Sequence, residues 1–419
     1  MTEHANTPEL RFPEFTEEWE ITLLGEVSYI TKLAGFEFTK YVNYSNEGKI
    51  PAIRGINIKN GRFNFEDVKY IDDSDFSKLS RSKLLPQDIV FTYVGTIGHA
   101  AIVPNDTSWY LAPNVAKIRS TNVYPDFLLQ ILTNPTFKRK EIFSWITTSS
   151  QPALSMANIR NFKLYLPSIL EQKKVGIFFS KLDQQIELEE KKLELLEQQK
   201  KGYMQKIFSQ ELRFKNEDGI QFEEWSFQSL SKIFDLITDY VANGSFADIR
   251  KNVSYSEKED YAYVIRLQDA SSNWKGPFVY TNKHAYEFLS KTKLFSKDII
   301  MSNVGTVGKT FRVPNLDKPM TLGPNSLLLR SSNNDMDFLY FYLNSSNFKK
   351  TLLKIITPGV QAKVNKTDLK TLILSIPSKE EQKKIGNFFN VLDKNIEIQG
   401  NKVNFLKQRK KGLLQKMFV

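Results

Sequence analysis

The polar residues best suited to binding a ligand lie in two glycine-containing turns and in the loops that follow them. Residues 94–98 and 304–308 both read Val-Gly-Thr-x-Gly, and each turn follows a short β-type run that begins with Asp-Ile. Two glycines three residues apart, flanked by Thr, indicate a tight turn whose backbone amides and hydroxyl are open to hydrogen bonding. A polar loop with a glutamine, Gln151 or Gln361, comes later in each half. The pattern favours recognition by hydrogen bonds, although a lone turn of this kind is also a common structural hairpin.

Residue types that commonly carry out catalysis are missing or scattered. The chain has no Cys, and its three His residues are far apart in sequence, so disulfides, thiolate sites and a histidine metal cluster are not expected. Residues 134–137 (Asn-Pro-Thr-Phe) lack the second Pro of the loop with which amino-methyltransferases hold a flipped base. Residues 305–310 end in Gly-Lys-Thr, but Asn303 stands where a phosphate-binding loop needs Gly. We predict no catalytic site and no metal.

The chain carries an excess of positive charge. Over 419 residues, Lys and Arg outnumber Asp and Glu by 58 − 47 = 11, and the pI is near 9.3. This excess favours a polyanionic partner, although a basic protein without such a partner would have the same composition. No stretch approaches the roughly 18 apolar residues that span a bilayer, and the N-terminus has no signal-peptide pattern. We expect a soluble cytoplasmic protein with no membrane association.

The elements that position the turns are organised around a repeated segment. Residues 166–208 return as residues 376–418, with a shift of 376 − 166 = 210 and no gap. Each copy opens with Pro and Ser-x-x-Glu, a capping box in which the Ser hydroxyl and the Glu carboxylate each bond a free amide, and this predicts a helix start. Neither copy contains Pro for about 40 residues beyond that point, so each helix could be about 60 Å long.

Each predicted helix carries one narrow apolar seam with heptad spacing. The seam positions are Leu182, Ile186, Glu189, Leu193, Leu196, Lys200, Tyr203 and Ile207 in the first helix, and Leu392, Ile396, Gln399, Val403, Leu406, Lys410, Leu413 and Met417 in the second. A parallel pair would place Lys200 against Lys410, so we predict an antiparallel pair. If paired numbers sum to 599, Glu189 faces Lys410. In the same register, Lys200 faces Gln399. The alternatives are registers slipped by a heptad, two separate homodimeric coiled coils, or plain surface helices.

The repetition also includes the segment that leads into each half. Glu-Leu-Arg-Phe and Glu-Glu-Trp occur in the first 20 residues and again just after the first long helix. Diverged residues with short β-type runs and helix-like apolar spacing follow in both halves. We therefore predict an α+β fold, in which two mixed α/β domains are joined by two long antiparallel coiled-coil helices with pseudo-two-fold symmetry. The predicted segments are 1–165 (first domain), 166–210 (first helix), 211–375 (second domain) and 376–419 (second helix).

This order of segments resembles the specificity subunit of type I restriction-modification systems over essentially the whole chain. The resemblance rests on the motif Glu-Gln-Lys-Lys-x-Gly-x-Phe-Phe-x-x-Leu-Asp, which occupies residues 171–183 and again 381–393, together with a Gly-Thr-x-Gly turn in each variable domain. One feature departs from the family pattern. The Gly often found before the loop Gln is present as Gly359, whereas Ser149 and Ser150 precede Gln151.

The resemblance implies a non-catalytic subunit that recognises DNA. Two target-recognition domains would each bind one half of a split, asymmetric site in double-stranded DNA, and the helices would set the spacer between the halves. The resemblance also implies two docked methyltransferase (M) subunits, which bind S-adenosylmethionine and methylate adenine. Motor-nuclease (R) subunits that use ATP and Mg would join them, while this chain would hold no cofactor and act on DNA in the bacterial cytoplasm. The seam from Leu182 to Ile207 spans about 39 Å, close to the roughly 34–36 Å of one B-DNA turn.

The residues we expect to contact DNA are polar or basic side chains in the turns and loops: Arg54, Asn57, Lys59, Thr92, Tyr93, Thr96 and Gln151 in the first half, and Arg266, Gln268, Asn303, Thr306, Lys309 and Gln361 in the second. Arg, Asn and Gln can each make two hydrogen bonds to the edge of one base, whereas Lys and Thr more often bind phosphates. A purely structural role is the alternative for each of them. Two rival functions are a stand-alone methyltransferase or nuclease, and a coiled-coil scaffold that does not bind DNA.

Overall fold

The computed structural model describes residues 6–59, 61–105, 107–146, 152–356 and 362–419. The chain folds into two compact units. Met1–Lys191 and Asn401–Val419 form the first unit, and Lys192–Gly400 form the second. The unit boundaries therefore fall inside the long helices, whereas the segments drawn from the sequence kept each helix whole.

Among its described residues, the first unit combines short strands with helices, which include the end of the second long helix from residue 401 onwards. Its strands are β1 (Glu20–Leu23), β2 (Ser28–Lys32), β3 (Pro51–Ile53), β4 (Ile58–Lys59), β5 (Arg62–Phe63), β6 (Lys69–Tyr70), β7 (Ile89–Thr92), β8 (Ala100–Ile102), β9 (Tyr110–Leu111), β10 (Val115–Ser120) and β11 (Lys163–Leu166). Its helices are α1 (Gly35–Tyr41), α2 (Pro125–Thr133), α3 (Pro135–Phe137), α4 (Met156–Arg160) and the start of the first long helix, α5 (Ile169–Phe208).

The main sheet of the first unit is antiparallel, with strand order β2-β10-β7-β8. A smaller sheet, β6-β3-β9, contains the parallel pair β3 and β9, and β1 pairs with β11 where the chain enters and leaves the domain. The side chains of β7 are all buried, and its β-branched and aromatic residues suit a strand covered on both faces. The core joins Phe91 and Phe127 to Phe179 of α5 and to Leu406 near the C-terminus.

The second unit repeats this plan. Its strands are β12 (Ser226–Ser229), β13 (Leu236–Asp239), β14 (Ala262–Ile265), β15 (Val279–Thr281), β16 (Lys293–Leu294), β17 (Ile299–Ser302), β18 (Thr310–Arg312), β19 (Met320–Leu322), β20 (Ser326–Arg330) and β21 (Ile373–Ile376). Its helices are α6 (Leu230–Ile233), α7 (Phe246–Asn252), α8 (Leu267–Ser271), α9 (Lys283–Phe288), α10 (Met336–Asn344), α11 (Ser346–Leu353), α12 (Lys366–Thr371) and most of the second long helix, α13 (Lys379–Lys416). The main sheet, β13-β20-β17-β18, has the same order as its counterpart.

A buried ion pair fixes the start of each long helix to the leading segment of its unit. In the first unit, Arg11 donates from Nε and Nη2 to the two oxygens of the buried Glu171, at 2.7 Å each. In the second unit, Glu381 accepts from Arg213 at 2.7 Å and from the Trp225 indole at 3.2 Å. The capping-box prediction is therefore only half met. The Ser168 hydroxyl accepts the Glu171 amide at 3.4 Å, but the carboxylate binds the arginine.

The next residues of the repeated motif pack each long helix closely against a helix of the same unit. The Gln172 side chain donates to the Pro167 carbonyl at 2.8 Å and accepts the Tyr124 amide at 3.1 Å, just before α2. Gly176 then allows contact with α2, because a Cβ added there would lie 2.8 Å from the backbone nitrogen of Phe127. The Gln and Gly of the second motif make the same contacts at the start of α10.

All sixteen predicted seam positions are buried or half-buried. Within each unit the helix segments run antiparallel, since Asp183 bonds Lys410 at 2.6 Å and Glu190 bonds Lys407 at 2.7 Å. The predicted register is wrong, because it placed Lys410 opposite Glu189. Asp183 with Lys410 sums to 183 + 410 = 593, and Glu189 bonds Lys402 at 2.5 Å, which sums to 189 + 402 = 591. Both lie near the value of 599 − 7 = 592 for a slip of one heptad, whereas Glu190 with Lys407 sums to 190 + 407 = 597.

The second unit has the equivalent pair, in which Lys200 bonds Asp393 at 2.5 Å rather than facing Gln399. The physical reason for the slip is electrostatic. In the observed register each seam lysine reaches the carboxylate of a Leu-Asp motif, so that its charge is neutralised where it is half-buried. The sequence-based register offered one of the two lysines only a neutral amide.

The close helix contact at Gly176 predicts opposite effects of one substitution at two glycines of α5. Gly176→Ala should lower the unfolding free energy of the first unit by about 1–3 kcal/mol, because the added methyl group overpacks the contact with α2. Gly202→Ala should leave stability unchanged or raise it by up to about 1 kcal/mol, because nothing lies within 4 Å of the added methyl and Ala favours a helix. Thermal and urea unfolding of the full chain measure both. Equal effects of the two variants would contradict the packing described.

Candidate nucleic-acid interface

The Gly-Thr-x-Gly turn of the first unit lies beside the chain that follows the first glutamine loop. The Gly95 amide donates to the Pro152 carbonyl at 3.2 Å, and the Leu154 amide donates to the Tyr93 carbonyl at 2.8 Å. The turn and the end of the loop, far apart in sequence, are thus paired like two short strands. The structure brings together two of the segments that the sequence marked as candidates.

The second unit pairs the same segments. The Gly305 amide donates to the Ala362 carbonyl at 2.9 Å, and the Val364 amide donates to the Asn303 carbonyl at 3.0 Å. The two predicted glutamines, Gln151 and Gln361, lie outside the described residues. Their predicted role in DNA contact therefore stays a prediction.

A buried hydroxyl and two glycines hold each turn in shape. Thr92 Oγ1 donates to the Thr96 carbonyl at 2.5 Å and accepts the His99 amide at 2.9 Å. Ser302 does the same in the second unit, donating to the Thr306 carbonyl and accepting an amide at 2.9 Å. All four glycines of the two turns have φ between 75° and 85°, a region that favours glycine. Thr92 is therefore a structural residue of the turn, with its hydroxyl already satisfied.

A second turn, which contains Arg54 and Asn57, is also held by its own side chains. Asn57 is buried: its Oδ1 accepts the Arg54 amide at 3.1 Å, and its Nδ2 donates to the Asn64 and Asp67 carbonyls at 3.0 and 2.9 Å. The Arg54 guanidinium lies 3.0 Å from the Asp67 carboxylate. Of the predicted contacts in this turn, only Lys59 is exposed.

The matching segment of the second unit keeps its arginine engaged within the protein. Arg266 forms a 2.7 Å ion pair with the buried Asp269 and donates to the Pro277 carbonyl at 3.1 Å. Gln268 is exposed beside it, and its amide oxygen can accept from the same guanidinium at 2.9 Å. Lys309 lies next to this segment, because its ammonium is 3.4 Å from the Ser271 hydroxyl. The arginine segment and the glycine turn therefore adjoin in the second unit.

The remaining predicted contacts differ in exposure. Thr96 and Thr306 are exposed at the tips of the two turns. Tyr93 is buried, and burial raises the pKa of its hydroxyl. Lys32 lies over the Tyr93 ring, 5.3 Å from its centre. Asn303 is half-buried, and its Oδ1 has no hydrogen-bond partner among the described residues.

Two basic residues near the first turn were missed from the sequence. Lys138 lies beside Gly98, and burial lowers the pKa of its ammonium. His99 has a lowered pKa, first because it is partly buried and then because Lys138 and Lys59 are nearby. Lys138 and Lys59 add positive potential next to the turn, whereas the lowered pKa of His99 favours its neutral form. A sequence signal was present, because the Phe-Lys pair at Lys138 recurs in the second half at Lys349.

The motifs that could be mistaken for catalytic loops have structural roles. Asn134 begins helix α3: its Oδ1 accepts the Thr136 amide at 2.8 Å, and its Nδ2 donates to the Leu414 carbonyl at 3.2 Å. Within the described parts of the chain, no group of His, Asp and Glu side chains is arranged to hold a metal ion. The helices in those parts are too short or too polar to cross a membrane.

Comparison with known families decides how this repeated arrangement is classified. The family described as type I restriction modification DNA specificity domain matches the chain twice, at residues 16–198 and 223–408. The chain belongs to this family. The resemblance inferred from the repeated motif is thereby confirmed, and the mixed α/β fold with two specificity domains and two long helices agrees with it.

The similar proteins are specificity subunits. The putative type I restriction enzyme MjaX specificity subunit and the MjaVIII specificity subunit, both from Methanocaldococcus jannaschii, are each 24% identical. The matches cover 96% and 97% of this chain, and 93% and 92% of the relatives. Among solved structures, the type I restriction-modification S subunit from M. genitalium has a TM-score of 0.59 at 14% identity, with 99% of each chain covered. A chain from a structure of type I R-M complex assembly has a TM-score of 0.54 at 16% identity, with 96% and 97% covered. These structures share the fold.

The hydrogen bonds of Thr92 predict a difference between two conservative variants. Thr92→Val should destabilise the first unit by about 1–3 kcal/mol, because the His99 amide and Thr96 carbonyl lose their buried partner while the side-chain shape is kept. Thr92→Ser should be close to neutral, since Ser302 makes the same bonds in the second unit. Thermal unfolding of both variants measures the difference. A Val variant as stable as the Ser variant would show that the hydroxyl does not hold the turn.

Proposed function

We propose that this chain is the non-catalytic, DNA-reading subunit of a type I restriction-modification complex, and that each unit reads one half of a bipartite, asymmetric site in double-stranded DNA. The observation that carries the proposal is the double match to the DNA specificity domain, with the same turn and loop arrangement built into each unit. The net charge of +11 supports a polyanionic partner. The loops around the turns differ in sequence between the two units, which would allow the two DNA half-sites to differ in sequence.

The exposed side chains around the turns divide by the chemistry they offer. Lys59 and Lys309 are suited to phosphate oxygens, and the exposed hydroxyls of Thr96 and Thr306 can bond phosphate or base edges. Gln268 offers an amide that can bond an adenine edge in the major groove. Asn57 and Thr92 support the loops that carry these residues, since their side-chain polar groups bond within the protein, and Arg54 is held there by its ion pair with Asp67.

We propose that the two long helices set the length of the DNA spacer and bind two M subunits. S-adenosylmethionine would reside on those subunits, ATP and Mg on the R subunits that join them, and none of these on this chain. Exposed apolar residues support docking. The first unit exposes Leu188 by 67% and Phe405 by 62%, and the second unit exposes Leu195 by 64% and Ile398 by 56%. These four residues correspond under the repeat, since 188 + 210 = 398 and 195 + 210 = 405. The two patches are therefore equivalent and would bind two identical partners.

Docking through these patches predicts a change in stoichiometry. Leu188→Lys with Phe405→Lys should leave a complex with one M subunit instead of two, because a charge at the centre of an apolar contact prevents its burial. Adding Leu195→Lys and Ile398→Lys should remove both. Light scattering of the co-purified complex measures its mass. Ile373→Lys, at an exposed apolar residue on β21, is the control.

Retention of two M subunits by the fourfold variant would contradict docking at these patches. Loss of an M subunit in the Ile373→Lys control would show that the effect is not specific to the helices.

Lengthening both helices tests the role proposed for them in setting the spacer. Seven residues that continue the seam pattern are inserted between Lys191 and Lys192 and between Gly400 and Asn401, where the two units divide, so that no residue within either unit changes its neighbours. The insertions add about 10.5 Å of helix. With 3.4 Å per base pair, the methylated motif should keep its two half-sites and gain a spacer longer by up to about three base pairs.

Sequencing of methyladenine in cells that co-express the variant and the M subunit measures the spacer. An unchanged spacer, with both half-sites still methylated, would show that the helices do not set it. Insertion into one helix only is the matched control. That variant should fail to support methylation, because it puts the two seams out of register.

A further inference from the structure

A cleft of about 700 Å³ opens in the second unit beside its Gly-Thr-x-Gly turn. Asn303 and Val304, at the start of the turn, form part of its wall, together with Lys363, which lies just beyond the glutamine loop and pairs with Val304. Phe246 and Arg250 of α7 contribute another wall. The cleft therefore adjoins the surface proposed to face DNA, and its volume is within the range of sites that enclose a small ligand.

The side chains of the cleft offer three kinds of contact. Phe246 is 76% exposed and Tyr255 is 49% exposed, so both present aromatic surface that the protein leaves uncovered. Arg250 and Lys363 are exposed, and within the described residues neither side chain has a hydrogen-bond or ion-pair partner. Lys366, by contrast, is held by Asp239 at 3.1 Å. Aromatic surface together with unpaired cations is the combination that binds a base and its phosphate.

The wall of the cleft also contains a polar atom without a partner. Asn303 Oδ1 is buried and accepts no hydrogen bond from the described residues. A buried acceptor in this state lacks a hydrogen bond, which a ligand with an N–H donor would supply. The exocyclic amino group of adenine or cytosine is such a donor.

The first unit differs at the equivalent position of its described residues. With the shift of 210 that aligns the two turns, Tyr93 takes the place of Asn303, and the backbone bonds are equivalent, since each residue's carbonyl accepts an amide from the chain after the glutamine loop. Tyr93 is buried, and its ring carries Lys32 above it. A large ring thus occupies the position where the second unit has a small amide and open space. The difference belongs to one half of the protein only.

We propose that the cleft of the second unit receives one base turned out of the DNA stack, with its exocyclic amino group donating to Asn303 Oδ1, its face against Phe246 and its phosphate near Arg250 and Lys363. A base that stays stacked in the duplex presents only its edge in the major groove and would remain outside a cleft. A base turned out of the stack can enter it. The inference rests on the proposed function, since it assigns a subsite of the same DNA-reading surface. The two half-sites would then be recognised by different mechanisms, in addition to differing in sequence.

The test uses the complex of this chain with its M subunits, bound to the duplex that the methylation pattern defines. 2-Aminopurine carries its amino group at C2 rather than at the adenine or cytosine position, so it serves as a reporter beside the extruded base, and its fluorescence rises when it loses a stacked neighbour. It replaces one base at a time in both half-sites, apart from the methylated adenines. We expect a rise at one position, which Asn303→Tyr abolishes by filling the cleft. Phe246→Ala, at an exposed side chain that folding does not require, should abolish it too and lower affinity about tenfold.

Phe227→Ala is the matched control, because Phe227 is 80% exposed in the same unit and does not line the cleft. This variant should keep both the signal and the affinity. A complex that binds its bipartite duplex specifically but shows no rise, or a rise unchanged in both cleft variants, would overturn the inference while the proposed function stands. Absence of specific binding by the wild-type complex would overturn both. Micromolar binding of free adenosine or cytidine without DNA would assign the cleft to a nucleoside instead.

Discussion

Each unit of this protein is completed by a helix segment from the other repeat, and the rest of the structure depends on this constraint. A long helix with one apolar seam is not stable in water alone, so its seam must be covered. In the first unit the covering residues include Leu406 of α13 and Met417 just after it, and in the second they include Ile207 from the end of α5. Neither unit has a full core without them. The duplicated chain must therefore keep both helices at matching length and in register, while its domains can diverge in sequence.

The motif shared by the two repeats holds the start of each long helix to the domain of the same unit. The Glu of each motif binds an arginine of the leading segment, the Gln bonds the helix that follows the main sheet, and the Gly lets that helix approach. These contacts place the domain on a rigid helix, and the two main sheets have the same strand order. Variation is thereby left to the loops. Tyr93 and Asn303 show this at equivalent positions: each carbonyl accepts an amide from the chain after the glutamine loop, yet one side chain is a buried ring and the other is an amide that lines a cleft.

The sequence predicts the elements of this fold better than their contacts. Heptad spacing placed all sixteen seam residues on the covered face, because periodicity follows directly from helix geometry. The register was wrong by about one heptad, because the deciding ion pairs, Asp183 with Lys410 and Lys200 with Asp393, involve an Asp just beside the seam.

Residue type also pointed to Asn57 and Thr92 as DNA-binding residues, yet the side chains of both are buried and hydrogen-bonded within the protein. Polarity alone does not distinguish a side chain that holds a loop from one that faces a ligand. That distinction depends on tertiary hydrogen bonds, and the position of Lys138 beside the first turn depends on tertiary packing.

The central claim is that two separate halves of one chain read two separate halves of one DNA site. The most direct test is to express the chain with the M subunit of its complex and to map methyladenine across the host genome. The account predicts a bipartite, asymmetric motif, with two short specified halves, a spacer of about six to eight unspecified base pairs in keeping with one turn of B-DNA, and one modified adenine on each strand. A continuous motif, or a stable complex that methylates no sequence, would contradict it.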